Sequence, residues 1–213
     1  MIPEKKPITT LLFDWDGTLN DSAANGFAAF QKSLEPFGVP FDQAFYDTHY
    51  SPNWYAMYEA LQLPQEHWQL ADDLWIQHYG TAPARLVEGA RETVLELSAR
   101  GYRLGIVSSG SHCRVLREIA EVKLDSVFQA VVCNEHITNK KPHAEGLEQA
   151  MRLMNVLSEN CAYVCDAPED IQMGQSARVL TVGVRSGFPS SKNLPAAGPD
   201  IYLEAIAELL WHF

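Results

Sequence analysis

The sequence predicts an α/β fold: a parallel sheet covered by helices on both faces, interrupted near its start by an all-helical insertion. Three observations predict it. From residue 89 onward, short apolar strand-like runs alternate with amphipathic helical stretches, the signature of strand–helix–strand units. One further strand-like run, Leu11-Leu12-Phe13, stands far upstream of these. The stretch between them, 22–84, shows no strand pattern, yet it holds 13 of the chain's 22 Phe, Trp and Tyr residues and so differs in composition from its surroundings. The predicted division is a core domain of 1–21 and 85–213 with a helical domain, 22–84, inserted into it.

The first strand is Thr9 to Phe13, an apolar β-forming run ended by the turn Asp14-Trp15-Asp16-Gly17-Thr18. Asn20-Asp21-Ser22 then offers helix N-cap residues, and Ala23, Phe27, Phe30 and Leu34 recur at helical spacing until Pro36 and Gly38 stop them. Further helices are predicted near 42–50, 53–62 and 65–79. Trp54, Met57, Tyr58 and Leu61 form one stripe, and Trp68, Ala71, Leu74, Trp75 and His78 another. Pro83 marks the return to the core. A helix over 89–100 ends at Gly101, and Arg103 to Val107 is a strand. Ser111 caps a helix to about 120, and Ala130 to Cys133 is a strand. A helix runs to about Met154, and Cys161 to Cys165 is a strand, with Cys161 and Cys165 on one face. Pro168 opens another helix. Strands over Val179–Val184 and Asp200–Leu203 and a helix to Trp211 complete the chain, with 185–199 as a surface loop.

Composition narrows the functional classes. The chain has 213 residues, 46% hydrophobic and 20% charged, with a formal net charge of -11. No basic field exists to hold nucleic acid or an anionic membrane, so neither is expected as a partner. An anionic substrate must be captured locally. No signal peptide or membrane span is expected, and four cysteines without a CxxC pair read as reduced thiols in a cytoplasmic protein. Composition leaves monomer and homodimer both open.

The polar residues cluster by topology. Asp14 and Asp16 end the first strand, Ser108 and Ser109 the second, and Asp166 and Asp170 follow the fourth. Lys141 opens the helix after the third. All sit where an open parallel sheet binds ligands, at carboxyl ends of strands or helix N-termini. Carboxylate oxygens in such a set suit Mg²⁺, and Lys141 with the Ser108–Ser109 amides suits a phosphate.

With these residues in order, the chain resembles the haloacid dehalogenase-like superfamily. The resemblance is to its branch with a helical cap inserted after the first strand, the phosphoglycolate phosphatase and β-phosphoglucomutase-like branch. The motifs that carry it are Asp14-Trp15-Asp16-Gly17-Thr18-Leu19; Ser108 after Leu104-Gly105-Ile106-Val107; Lys141-Pro142; and Asp166 with Asp170. The resemblance implies a Rossmann-like core and a Mg²⁺-dependent phosphatase acting on a small-molecule phosphate ester. Asp14 would be the nucleophile and Asp16 the general acid/base. The Asp14 carboxylate, the Asp16 backbone carbonyl and Asp166 would bind the metal, with Asp170 supporting its water shell. Ser108, Ser109 and Lys141 would hold phosphate. Lys140 competes for that role, but the family's lysine precedes proline, which favours Lys141.

Two positions depart from the pattern. Cys165 replaces a usual glycine before Asp166, and Arg178 stands where the next helix usually ends Ala-Gly. A β-phosphoglucomutase-like enzyme would place a cap histidine near the first motif, whereas the first histidine is His49. A Schiff-base phosphonate hydrolase would need a cap lysine, and only Lys32 is available. A non-catalytic phosphate-binding protein on the same fold is the alternative from another class. His112 and Arg114 fit either the cleft or a solvated helix face. Trp54, Tyr55 and Tyr58 fit either core or substrate contact, and the indole of Trp15 either the sheet or the cap-facing wall. Phosphoglycolate or sugar phosphates fit the branch. The cap's shortage of cations argues against a second strong negative charge held there.

Overall fold

The computed structural model describes residues 7–51, 53–80 and 82–213. A six-stranded, all-parallel sheet forms the core. Its strands are β1 (Thr10–Phe13), β2 (Arg103–Val107), β3 (Phe128–Val132), β4 (Cys161–Cys165), β5 (Leu180–Val184) and β6 (Ile201–Leu203), in the order β3-β2-β1-β4-β5-β6. The chain winds outward from β1 on one side, then returns to place β4 on the other. The crevice between the carboxyl ends of β1 and β4 is the switch point at which such sheets bind ligands.

Alternation along the strands sorts the core into two layers. Leu11 and Phe13 of β1, with Ala162 and Val164 of β4, face helices α5 (Ala90–Ala99) and α6 (His112–Glu121). Leu12, Cys161, Tyr163 and Cys165 face α7 (Glu145–Met154) and α8 (Pro168–Ala177) on the other side. All four residues of β1 are buried, as a strand covered on both faces requires. Cys161 and Cys165 do share a face, and the three buried cysteines are free thiols.

Between β1 and α5 the described residues are helical: α1 (Ala23–Leu34), α2 (Gln43–His49), α3 (Trp54–Ala60) and α4 (Trp68–Tyr79). They enclose a separate apolar cluster that includes Phe30, Leu34, Tyr46, Met57, Tyr58 and Ala71. Two chain crossings join this insertion to the sheet. Asp21 N–H donates to the Arg85 carbonyl at 2.6 Å, and Val87 N–H to the Leu19 carbonyl at 2.9 Å. No described helix is long and apolar enough to cross a membrane.

Several elements differ from the sequence expectation. Strand β3 starts at Phe128 and ends before Cys133. It is an edge strand with half-buried Phe128 and exposed Gln129, so its apolar run understates its length. The terminal helix is a 3₁₀ segment, Ile206–Trp211, whose buried Ile206 and Leu209 lie three apart and so eclipse on one face. Ser22 holds the N-cap position of α1 without a side-chain capping bond. The 185–199 connection is more than a surface loop. It carries 3₁₀ turns over Pro189–Ala197 and buries Phe188, Ser190, Ser191 and Leu194.

The two departures from the family pattern are accommodated differently. Cys165 turns its thiol into the α7/α8 side of the core and does not line the cleft. Arg178 ends α8 with φ 59°, a left-handed conformation that an L side chain adopts at a cost. Glycine there relieves that strain but enlarges the unfolded ensemble. Arg178→Gly is therefore expected to stabilise the fold by about 0.5–1 kcal/mol, read from denaturant midpoints at unchanged slope; destabilisation would show that the arginine side chain outweighs the backbone strain.

Candidate active site

Asp14, Asp16, Ser108, Ser109, Lys141, Asp166 and Asp170 all line one cavity of about 380 Å³ at the switch point. Asp14 leaves β1 with its N–H held by the Val164 carbonyl at 2.9 Å, which fixes it beside β4 and hence beside Asp166. Gly17 makes that approach possible. Its φ is 84°, and a Cβ there would overlap the Asp166 carboxylate and come within 2.6 Å of Phe188.

Lys141 binds the cluster together. Its Nζ lies 2.7 Å from Asp14 Oδ1 and 2.6 Å from Asp170 Oδ1, and all three side chains are nearly shut from solvent. Lys141 does not open α7, as the sequence suggested. It sits four residues ahead of the helix, in a loop whose Lys141–Pro142 peptide is cis. Lys140 is exposed and donates to the Asn134 carbonyl at 2.8 Å, outside the cluster. Asp170 also accepts from the Tyr163 hydroxyl at 2.8 Å, and Asp166 from Thr18 at 3.1 Å and Ser186 at 2.6 Å. Ser108, buried at the end of β2, accepts the Gly110 N–H at 3.0 Å. Ser109 follows it, half-buried.

The electrostatics follow from three buried carboxylates around one lysine. Burial pushes the Asp14 carboxyl up to about 7; Lys141 pulls it down, and Asp170 pushes it back up. Burial, then the Asp14 charge, raises Asp166 well above the ordinary range. Lys141 is raised despite burial, because Asp14 and Asp170 hold its proton.

Oxygens of Asp14, Asp166 and Asp170 all lie within 4.8 Å of one another. An all-oxygen donor set with excess negative charge and raised carboxyls fits a hard divalent cation, which would supply the missing positive charge.

Asp16 points elsewhere. Its carboxylate pairs with the Arg114 guanidinium, at 2.5 Å from Oδ2 and 3.1 Å from Oδ1. Burial raises Asp16, but Arg114 outweighs it and holds the carboxyl below its usual value. Arg114 also pairs with buried Glu118 at 2.9 Å and lies over the Tyr79 ring, 4.9 Å from its centroid. Gly110 leaves the space that the guanidinium fills.

Arg114 is therefore a cleft residue, one of the two readings the sequence left open. Arg114 and Glu118, four apart on α6 and bordering the buried Val115–Ile119 stripe, were the available signal. Trp15 is buried in the sheet core, its Nε1 donating to Glu118 at 2.8 Å, and takes no part in the cap-facing wall. Ser186 and Phe188 were missed inside the presumed surface loop. Phe188 stacks on Tyr50 of the insertion, 4.8 Å between centroids. Trp54, Tyr55 and Tyr58 line the cleft. His49 is exposed and stacked on Phe45, and Lys32 is exposed; neither lines the cleft.

A parallel sheet with a carboxylate-centred, lysine-braced cleft at its switch point places the chain among α/β proteins that bind ligands at strand ends. The chain belongs to the haloacid dehalogenase-like hydrolase family, whose model matches residues 11–184. It is 31% identical to the pyrophosphatase PpaX of Listeria welshimeri over 95% of each chain. It is 28% identical to the phosphoglycolate phosphatase of Colwellia psychrerythraea over 94% of each. Among solved structures it is similar to a hydrolase from Pseudomonas syringae (TM-score 0.84, 22% identity, 97% of each chain covered). It is also similar to CbbY from Rhodobacter sphaeroides in complex with phosphate (TM-score 0.78, 21% identity, 95% of this chain and 96% of that one).

The raised Asp14 carboxyl sets a pH dependence. Between its ordinary value of about 3.9 and its folded value near 7, the folded protein holds more protons than the unfolded chain. Metal-free stability therefore falls as pH rises through that window, while the ionised site gains affinity for a cation. A hard divalent cation should raise Tm by more at about pH 8 than at about pH 5. Equal shifts at the two pH values would contradict the site.

Proposed function

We propose that the protein is a Mg²⁺-dependent phosphatase that hydrolyses a small-molecule phosphate monoester through a phosphorylated Asp14. In this reading 1–21 and 85–213 form the catalytic core and 22–84 a helical cap. The observation that carries it is Asp14 itself, buried at the switch point with its carboxylate on Lys141 and two further carboxylates within reach. Such a cluster is costly to assemble unless a cation and an anion complete it.

Asp14 and Asp166, with Asp170 nearby and the Asp16 backbone carbonyl, would hold Mg²⁺, which supplies charge neutralisation to the phosphoryl oxygens. Lys141 and the Ser108 hydroxyl, with the amides around Ser109, orient the phosphate. An Asp14 oxygen attacks phosphorus as the ester P–O bond breaks, and the leaving oxygen takes a proton from Asp16. Asp16 then takes a proton from water, whose oxygen bonds to phosphorus as the Asp14 oxygen leaves, releasing phosphate.

Arg114 places a condition on this sequence. While paired, Asp16 is ionised, the form suited to accepting the water proton. Before it donates to the leaving oxygen, Asp16 must turn from Arg114 towards the cleft and carry a proton.

Esters of different leaving groups test the assignment. Asp16→Asn is expected to lower kcat/KM for an alkyl phosphate by about 10²–10⁴-fold, while kcat/KM for p-nitrophenyl phosphate, which leaves without protonation, falls far less. Asp14→Asn should abolish turnover of both. Equal losses for the two esters in Asp16→Asn would remove Asp16 from the acid role, and near-normal turnover in Asp14→Asn would remove the mechanism.

A further inference from the structure

The wall of the cleft opposite the carboxylates is built almost wholly by the insertion, and it is aromatic. Tyr46, Trp54, Tyr55, Tyr58, Trp75 and Tyr79 line it. Trp75 stacks on Tyr79 with centroids 4.7 Å apart, and the Arg114 guanidinium lies over the Tyr79 ring. The lining contains two cations among the described residues, and both are taken: Lys141 by Asp14 and Asp170, Arg114 by Asp16 and Glu118.

Among the described residues, the one charged group that the insertion itself places in the wall is an acid. Asp72 lines the cleft and accepts the Tyr55 and Tyr58 hydroxyls at 3.1 and 2.9 Å. A substrate carrying a second anionic group would meet aromatic faces and a carboxylate, with no free cation among the described lining residues to receive it. The volume, about 380 Å³, falls in the range of pockets that enclose drug-sized ligands.

Among the polar atoms of this wall without a hydrogen-bond partner are a hydroxyl and an indole N–H. Tyr46 is 2% exposed, yet its hydroxyl makes no hydrogen bond, and the buried indole N–H of Trp75 likewise has none. Buried donors are left unmatched at a cost unless a ligand completes them. Both are suited to donate to acceptor atoms on a bound molecule.

Resting on the phosphatase reading above, we propose that the substrate is a phosphate monoester of an uncharged alcohol that bears a planar aromatic or heteroaromatic ring with hydrogen-bond acceptors, and no second anionic group. The phosphate lies on Lys141 and Ser108. The ring lies among the wall aromatics with its edge towards Trp75, whose in-plane N–H donates to a ring acceptor. This departs from pyrophosphate and phosphoglycolate, the substrates in the names of the two curated relatives, each of which carries a second anionic group.

The test has a binding arm and a turnover arm. Calorimetry with the Asp14→Asn protein in Mg²⁺ measures affinity for thymidine 5′-monophosphate, 2-phenylethyl phosphate, phosphoglycolate, inorganic pyrophosphate and phosphocholine, independently of catalysis. The aromatic esters should bind about tenfold or more tightly than the other three. Tightest binding of phosphoglycolate or pyrophosphate would overturn the proposal, and tightest binding of phosphocholine would overturn it in favour of a cationic alcohol. Trp75→Phe should weaken thymidine 5′-monophosphate by about tenfold while sparing 2-phenylethyl phosphate, which has no ring acceptor. Equal effects on both would overturn the role of the N–H. Phosphate release by the unmodified protein is read on the same panel. The aromatic preference in binding without release of phosphate from any ester would sustain the cleft assignment and remove the phosphatase reading.

Discussion

The contact on which the site depends is the bond from Lys141 to Asp14 and Asp170. Three carboxylates meet at the mouth of the switch point, and one ammonium holds two of them at 2.6–2.7 Å in a volume nearly closed to water. Taking an isolated charge out of water costs several kcal/mol, and breaking a buried pair typically costs about 3–5 kcal/mol. The rest of the core supplies the geometry that makes the cluster tolerable. β1 and β4 pair in register from Thr10 with Cys161 to Phe13 with Val164, so Asp14 and Asp166 leave the sheet side by side. Tyr163 reaches from β4 to Asp170, and Ser186 and Thr18 satisfy Asp166. What remains is excess negative charge and a carboxyl raised to about 7, surroundings that favour an added cation.

A second charged group governs the other carboxylate. Arg114 joins Asp16 to Glu118 and lies on Tyr79, which belongs to the insertion and stacks on Trp75. The aromatic wall, the Asp16 carboxylate and the core are thereby in contact through one guanidinium. Phe188 on Tyr50 and Ser51 on Glu169 at 3.1 Å make a further set of contacts between insertion and core. A movement of the insertion at the 20–23 and 83–86 crossings would alter the Tyr79 contact with Arg114, and with it the position of Asp16.

Much of this was legible in the sequence, and the reasons differ by element. The strands of the sheet centre were readable because strands covered on both faces are continuously apolar, as in Leu11 to Phe13 and Cys161 to Cys165. The order of acids, serine and lysine at strand ends was readable because parallel topology sends every strand's carboxyl end to one side. The edge strand β3 was misplaced because half its residues face solvent. The segment from Ser186 to Phe188 was read as a loop because small polar residues signal turns whether or not they fold back on a carboxylate. Arg114 was ambiguous because a guanidinium on an amphipathic helix looks the same whether it meets water or Asp16. The orientation of Trp15 turned on Glu118, a buried acid that periodicity alone does not distinguish from a solvated one.

The central claim is that Asp14 carries the phosphoryl group. The direct measurement is peptide mass spectrometry of protein quenched in acid during turnover of an aryl phosphate, using Asp16→Asn to slow the second step. The mass of a phosphoryl group on the peptide containing Asp14, absent from the Asp14→Asn control, is the predicted result. Phosphate release with no phosphorylated peptide, or with the group on another residue, would contradict it.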